Sequence, residues 1–224
     1  MAGFRVIVAD PPWRYSDSLT MSDVKRGAEA NYQGTMTMEQ IAAVPVARLA
    51  DKDAAVCVLW IGNPILPFGF SILSAWGFEF KQSWHWVKTK KRLADVEPDR
   101  VIDELEESDL AFPMGRLSRM CTETMLVGVR GKIYPHLRSK RERNVLPHPS
   151  LPHSCKPETL QDRLERMFPE GERLELFARR ARPGWRCLGN ECPDTLGEDI
   201  FDSCDRLLGI DPGRQSPLFP EATS

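Results

Sequence analysis

The chain has no apolar run approaching the ~20 residues that a membrane-crossing helix needs. It opens without the charged, apolar and small-residue succession of a secretory leader. Its six cysteines, Cys57, Cys121, Cys155, Cys187, Cys192 and Cys204, form no CxxC pair. A zinc set could be assembled from His148, His153, Cys155, Cys187 and Cys192, but no zinc-ligand spacing stands behind it. There is no GxGxxG, so the dinucleotide fingerprint is missing, and no internal repeat. Charge of one sign is missing too: the net is −2, which excludes a generic polyanion binder and confines any nucleic-acid surface to a local patch. These absences set aside a membrane protein, a disulfide scaffold and a repeat array. Reduced thiols and a cytoplasmic location are expected.

What is present is 224 residues, enough for one α/β domain with a full core. Short apolar runs recur at Phe4–Ala9, Ala54–Trp60, Phe78–Val87, Thr124–Val129 and Arg173–Phe177, and each reads as a strand. Helical patterns lie between some of them. Thr37 and Gln40 spell a capping box for a helix reaching about Ala50, with Pro45 as a kink or early stop. Pro67 to Trp76 reads as a helix closed by Gly77. Pro157 suits a first helical turn, with Leu160, Leu164 and Phe168 on one face. Strands alternating with helices predict a mostly parallel sheet covered on both faces. Trp84, Trp86 and Trp185 read as core, and so does Cys57. The domain is expected over 1–192. An acidic insertion at about 93–112 carries eight acids and one arginine. A tail over 193–224 is expected to be partly disordered, although Ile200, Phe201, Cys204, Leu207 and Leu208 could line one short helix.

The most telling residues are Asp10-Pro11-Pro12-Trp13, directly after the first strand. Two prolines cannot continue a central strand, so the chain must turn. The turn leaves an acid, free carbonyls and a large aromatic at a strand's carboxyl end, where open α/β sheets bind ligands. Such a set suits the exocyclic amine of adenine, whose lone pair is delocalised into the ring. Asp10 can accept one amino hydrogen and the Pro11 carbonyl another, while Trp13 can stack a base.

The rest of the chain supports that reading. The matching segments are Ile7 to Tyr15, Tyr32 to Met36, Leu59 to Pro64, Trp86 to Thr89, Glu123 to Gly131, His153 to Glu158, Leu174 to Arg180, Gly184-Trp185 and Gly189 to Glu191. In order and spacing they resemble the adenine-N6 methyltransferase family named after the 70-kDa methyltransferase-A subunit. One departure stands before Glu123, where family members carry an aromatic; here it is missing and Arg119 remains.

The resemblance implies a single Rossmann-like methyltransferase domain with permuted motif order, catalytic strand first and cofactor strand last. It implies S-adenosylmethionine as methyl donor and no metal. Asp10, Pro11, Pro12 and Trp13 carry catalysis. Asp10, Pro11, Lys156, Glu175, Arg179, Asn190 and Glu191 match positions lining the donor pocket. Tyr32 and Arg119 match positions near the target nucleotide. Lys156 precedes a helix, where a cation opposes the dipole, so a functional role is expected to offset that cost. Residues 130–143 hold six basic residues and one acid, and Lys140, Arg141 and Arg143 are expected to meet phosphates. Arg180 and Arg182 are further candidates for phosphate contact. The implied partner is a nucleic acid, DNA before RNA, with a partner subunit open. The alternatives are cytosine-N4 methylation and a catalytically silent nucleic-acid-binding subunit.

Overall fold

The computed structural model describes residues 3–14, 34–91, 105–115, 117–152 and 155–210. The elements are β1 (Phe4–Ala9), α1 (Met38–Ala43), α2 (Val46–Leu49), β2 (Ala54–Ile61), α3 (Leu66–Ala75), β3 (Glu79–Thr89) and β4 (Thr122–Gly131). After them come β5 (Val145–Pro149), α4 (Thr159–Met167), β6 (Glu172–Leu176), β7 (Arg186–Leu188) and α5 (Ile200–Leu208). One seven-stranded sheet has the order β5-β3-β4-β2-β1-β6-β7. Only β4 runs against its neighbours; the other pairings are parallel. The first and sixth strands are neighbours, as the permuted motif order requires.

Period-two alternation divides the core. Every residue of β2 is buried. Ala55, Cys57, Leu59 and Ile61 face the layer of α1, α2, α3 and α5. Ala54, Val56, Val58 and Trp60 face the other layer, where α4 supplies Leu160 and Leu164. A central strand covered on both faces needs such a continuous apolar run. This is the α/β fold with helices on both faces that the sequence led us to expect. Burial pushes the Cys57 thiol far up and the Cys204 thiol up to about 12, so both act as small apolar side chains.

Local signals act as written, with one shift. The Thr37 hydroxyl accepts from the Gln40 N–H at 3.3 Å, and the Gln40 side chain accepts from the Thr37 N–H at 2.8 Å. The helix stops at Ala43, and Pro45 caps the start of α2. Gly77, at φ 80°, closes the turn after α3. Pro157, expected in the first turn of α4, instead stands just before it, because Glu158 is the cap.

Two strands were not read from the sequence. β5 is Val-Leu-Pro-His-Pro, and two prolines argue against a strand. It survives because it is an edge strand paired only with β3. β7 has three residues, too few to show a pattern, and closes the other edge. α5 buries Ile200 and Cys204 against the α1–α3 layer. Residues 211–224 lie outside the described part.

The β6–β7 loop is tied to α4 by a charged cluster. The Arg182 guanidinium meets Glu158 at 2.7 Å, Asp162 at 2.5 Å and Glu165 at 3.0 Å. The Trp185 indole N–H donates to Glu165 at 2.6 Å. These partners engage Arg182 in the fold rather than leaving it for phosphates. Replacing Arg182 with Ala is expected to cost about 1–3 kcal/mol in urea unfolding. The acids are a third to a half exposed, and solvent screening keeps the loss towards the lower end. An unchanged midpoint and slope would show the cluster to be inert.

Candidate active site

The carboxyl ends of the parallel strands and the start of β4 share one edge of the sheet. From β1 the next strand, β2, lies on one side; from β6 the next strand, β7, lies on the other. A crevice opens at such a switch point. Asp10 stands there, its N–H donating to the Leu176 carbonyl at 3.4 Å.

The two prolines shape the turn. The Pro11 carbonyl accepts the Trp13 N–H at 2.9 Å, and the Pro12 carbonyl accepts the Met36 N–H at 2.8 Å. Arg14 N–H donates to the Met36 carbonyl at 3.1 Å. Arg14 and Met36 are therefore held together beside the crevice. Trp13 is not a free-standing platform. It is 5% exposed, belongs to the core, and donates its indole N–H to the Trp60 carbonyl at 3.1 Å. It also stands in the wall of the cleft.

Charges alternate across this cleft. Lys156 Nζ donates to Asp10 Oδ2 at 2.8 Å and lies 3.6 Å from Glu123 Oε2. Lys88 Nζ meets Glu123 Oε1 at 2.7 Å. The ammonium of Lys156 also sits 5.3 Å from the centroid of the Trp60 ring, and that of Lys88 sits 4.9 Å from the centroid of the Trp86 ring. The cleft holds about 230 Å³, with Asp10, Pro11, Trp13, Trp60, Asn63, Met120, Glu123 and Lys156 in its walls. A planar heterocycle presenting amine hydrogens would find acceptors and aromatic faces here.

A second group gathers at the ends of β6 and β7. Phe177 takes φ 61°, uncommon outside glycine, and turns the chain sharply after β6. Gly189 packs against that turn; a Cβ there would stand 2.2 Å from the Ala178 carbonyl oxygen. Arg179 pairs with Glu191 at 3.4 Å, and Asn190 is exposed beside them. Glu175 points to the α4 side and accepts from Gln161 Nε2 at 3.0 Å. Arg180 meets Glu158 at 2.8 Å, and its Nη2 is buried with no partner among the described residues.

The structure thus brings together Asp10, Pro11, Pro12, Trp13 and Lys156, with Glu175, Arg179, Asn190 and Glu191 on the adjoining strand ends. Tyr32 lies outside the described residues. Arg119 stands near the cleft mouth, packed on Phe112 at 4.2 Å and Met114 Sδ at 3.3 Å. The basic run is not brought to the cleft. Arg138 N–H bonds to the Met167 carbonyl at the far end of α4, and the segment leads into β5, the outermost strand. β5 and β1 are four strand spacings apart, roughly 19 Å. Lys140, Arg141 and Arg143 could meet phosphates only at some distance from the cleft. Glu142 within this run is engaged by Arg166 and Arg163. The cleft also includes Glu123, which Lys88 holds from behind, and sequence reasoning gave neither a role; Gln161 backs Glu175. Gln161 carried a signal: it is a polar residue beside Leu160 on the apolar face of α4, and only 1% exposed.

The family model described as MT-A70 matches residues 4–191. The chain is 31% identical over 211 residues to the N(6)-adenine-specific methyltransferase METTL4 of Homo sapiens, covering 88% of this chain and 39% of that protein. It is 26% identical over 205 residues to the Type II methyltransferase M.MunI of Mycoplasma sp, covering 85% of this chain and 78% of that protein. It is 27% identical over 190 residues to the N(6)-adenosine-methyltransferase MT-A70-like of Arabidopsis thaliana, covering 84% of this chain and 24% of that protein. The chain therefore spans well under half the length of METTL4 and most of the length of M.MunI.

Burial raises the Glu175 carboxyl above its ordinary 4.5, against the Gln161 hydrogen bond and the Arg180 charge. A raised carboxyl means that the folded chain holds the proton more tightly than the unfolded one. The cost is absent below pH 4.5 and grows as pH rises through the folded value. Glu175→Gln should therefore melt above the parent at pH 7, by ~2–4 °C for each kcal/mol relieved, and converge with it near pH 4. Calorimetric scans across that range check this. A variant melting lower at pH 7 would mean that the charged carboxylate is stabilised by its surroundings.

Proposed function

Because the chain belongs to the MT-A70 family, we propose that it transfers the methyl group of S-adenosylmethionine to the exocyclic N6 amine of adenine in a polynucleotide. The observation that carries this is the Asp10 carboxylate at the β1–β6 switch point, held by Lys156 beside the Pro11 carbonyl.

The residues at the ends of β6 and β7 fit that donor by their chemistry. Glu175 and Glu191 suit an ammonium or a ribose diol, Arg179 suits a carboxylate, and Asn190 can both give and accept at an adenine edge. The Arg180 Nη2, without a partner among the described residues, is a further donor to an anionic group. When bound, S-adenosylmethionine supplies an electrophilic methyl on a sulfonium. The chain's own residues do the rest. The ion pair with Lys156 uses one oxygen of the Asp10 carboxylate, and a carboxylate has two. Asp10 accepts one amino hydrogen. The Pro11 carbonyl, which spends one lone pair on Trp13, accepts the other. Both bonds draw the amine nitrogen out of ring conjugation. Trp13 and Trp60 set the plane of the base from the cleft wall. Positioning and charge complementarity carry the rate.

DNA is proposed ahead of RNA, because the similarity takes in most of a type II methyltransferase but about a quarter of the adenosine enzyme. Lys140, Arg141 and Arg143 are proposed as contacts to phosphates remote from the target base. A cytoplasmic location with reduced thiols belongs to the same proposal.

Incubating the chain with labelled donor and DNA or RNA, then digesting to nucleosides, should yield N6-methylated adenine. Asp10→Ala should lower kcat by at least ~10², as when a transition-state hydrogen bond is lost. Label in cytosine, or full turnover by Asp10→Ala, would refute the proposal. Asn190→Ala should weaken donor binding in calorimetry by ~1–3 kcal/mol. Unchanged affinity would remove Asn190 from the donor site.

A further inference from the structure

The segment returning from β3 to β4 exposes four large apolar side chains at the carboxyl edge. Phe112 is 74% exposed, Met114 83% and Met120 39%, and Leu117 is fully exposed. Phe112 and Met114 are joined through Arg119. The Arg119 guanidinium lies over the Phe112 ring at 4.2 Å, and its Nη1 meets Met114 Sδ at 3.3 Å. Met120 also lines the cleft with Asp10 and Lys156. Leu117 is three residues from Met120, a reach of at most ~10 Å. The patch is thus continuous with the cleft and carries a cation at its centre.

We propose that Met114 and Leu117 form a wedge that enters a nucleic-acid duplex where the target base leaves it. This rests on the reading of the cleft as an adenine site. A base that reaches Asp10 must leave its stack, and its departure opens an apolar gap between the flanking bases. Flexible or branched apolar side chains fill such a gap and hold the strand open. Arg119, tied to Phe112 and Met114, faces the same ligand with the charge that a phosphate backbone attracts. An apolar patch with a central arginine beside a base-sized cleft suits a nucleic acid better than a second protein surface. The wedge also has a consequence for substrate form: it acts only where a stack must be bridged. Single strands, whose bases are already accessible, do not need it.

The test compares the parent with the Met114→Ala, Leu117→Ala double variant on mixed-sequence DNA, supplied as duplex and as single strands, with labelled donor. Both side chains are exposed, so the melting temperature should stay unchanged. We expect the variant to lose ~10-fold or more in kcat/KM on duplex and less than ~2-fold on single strands. Equal losses on both forms, or none on either, would overturn the wedge. So would a parent enzyme that acts on single strands alone. Sedimentation showing that the parent self-associates and the variant does not would make the patch an interface between copies instead. A parent that methylates adenine in neither form would refute the adenine reading, whereas an active parent with an equally active variant refutes the wedge alone.

Discussion

The contact between Lys156 and Asp10 is the constraint on which the site depends. It joins residues 146 positions apart, at the end of β1 and just before α4. A cation ahead of a helix N-terminus opposes the helix dipole, so position alone would disfavour Lys156 there. Asp10 on one side, Glu123 on the other and the Trp60 ring nearby offset that cost. Both side chains are mostly buried, at 15% and 25% exposed, so neither is comfortable without the other. Taking away one partner of such a pair leaves a charge stranded at the edge of the core. The two carboxylates are held by two ammonium groups in alternation, Asp10, Lys156, Glu123 and Lys88, and this alternation fixes the acceptor that faces the cleft.

The sheet determines why Asp10 and the ends of β6 and β7 meet. The strand that leads into Asp10 comes first in the chain and the strand that carries Glu175 is β6, yet they pair side by side through Ile7–Leu174, Val8–Glu175 and Ala9–Leu176. β1 is followed by β2 on one side and β6 by β7 on the other, the arrangement that opens a crevice between them. The prolines after β1 stop the ladder at that point, and the positive φ of Phe177 stops β6 at the same height. Gly189 lets β7's end close against that turn. Two independent chain reversals therefore put Asp10 and Pro11 along one edge with the residues proposed to bind the donor.

Much of this was legible in the sequence because its cause is local. The apolar runs of β1, β2 and β4 are short but clearly bounded, β6 alternates Leu with charged residues, and the Thr37–Gln40 box and Gly77 are backbone devices that need only nearby residues. The edge strands were not legible. β5 contains Pro147 and Pro149, and only its place at the margin of the sheet makes them tolerable. The site divides in the same way. Asp10 to Trp13 announces itself by chemistry, but the pairing of Lys156 with Asp10 and Glu123 is a product of topology. Trp13, read as a stacking face, proves to be a wall of the core with its indole N–H spent on Trp60. The basic run around Arg138 is dense in sequence yet leads to the outer edge of the sheet, because β4 carries the chain away from the cleft before that run begins. Charge density in a sequence does not tell which end of a sheet it will occupy.

The most direct test is a double-mutant cycle on turnover, using Asp10→Asn, Lys156→Met and the combination. If the ammonium acts through the carboxylate, the double variant should be no slower than Asp10→Asn alone, as for residues that work as one unit. If the two losses multiply, Lys156 acts independently of Asp10, and the ion pair is not the element that organises the site.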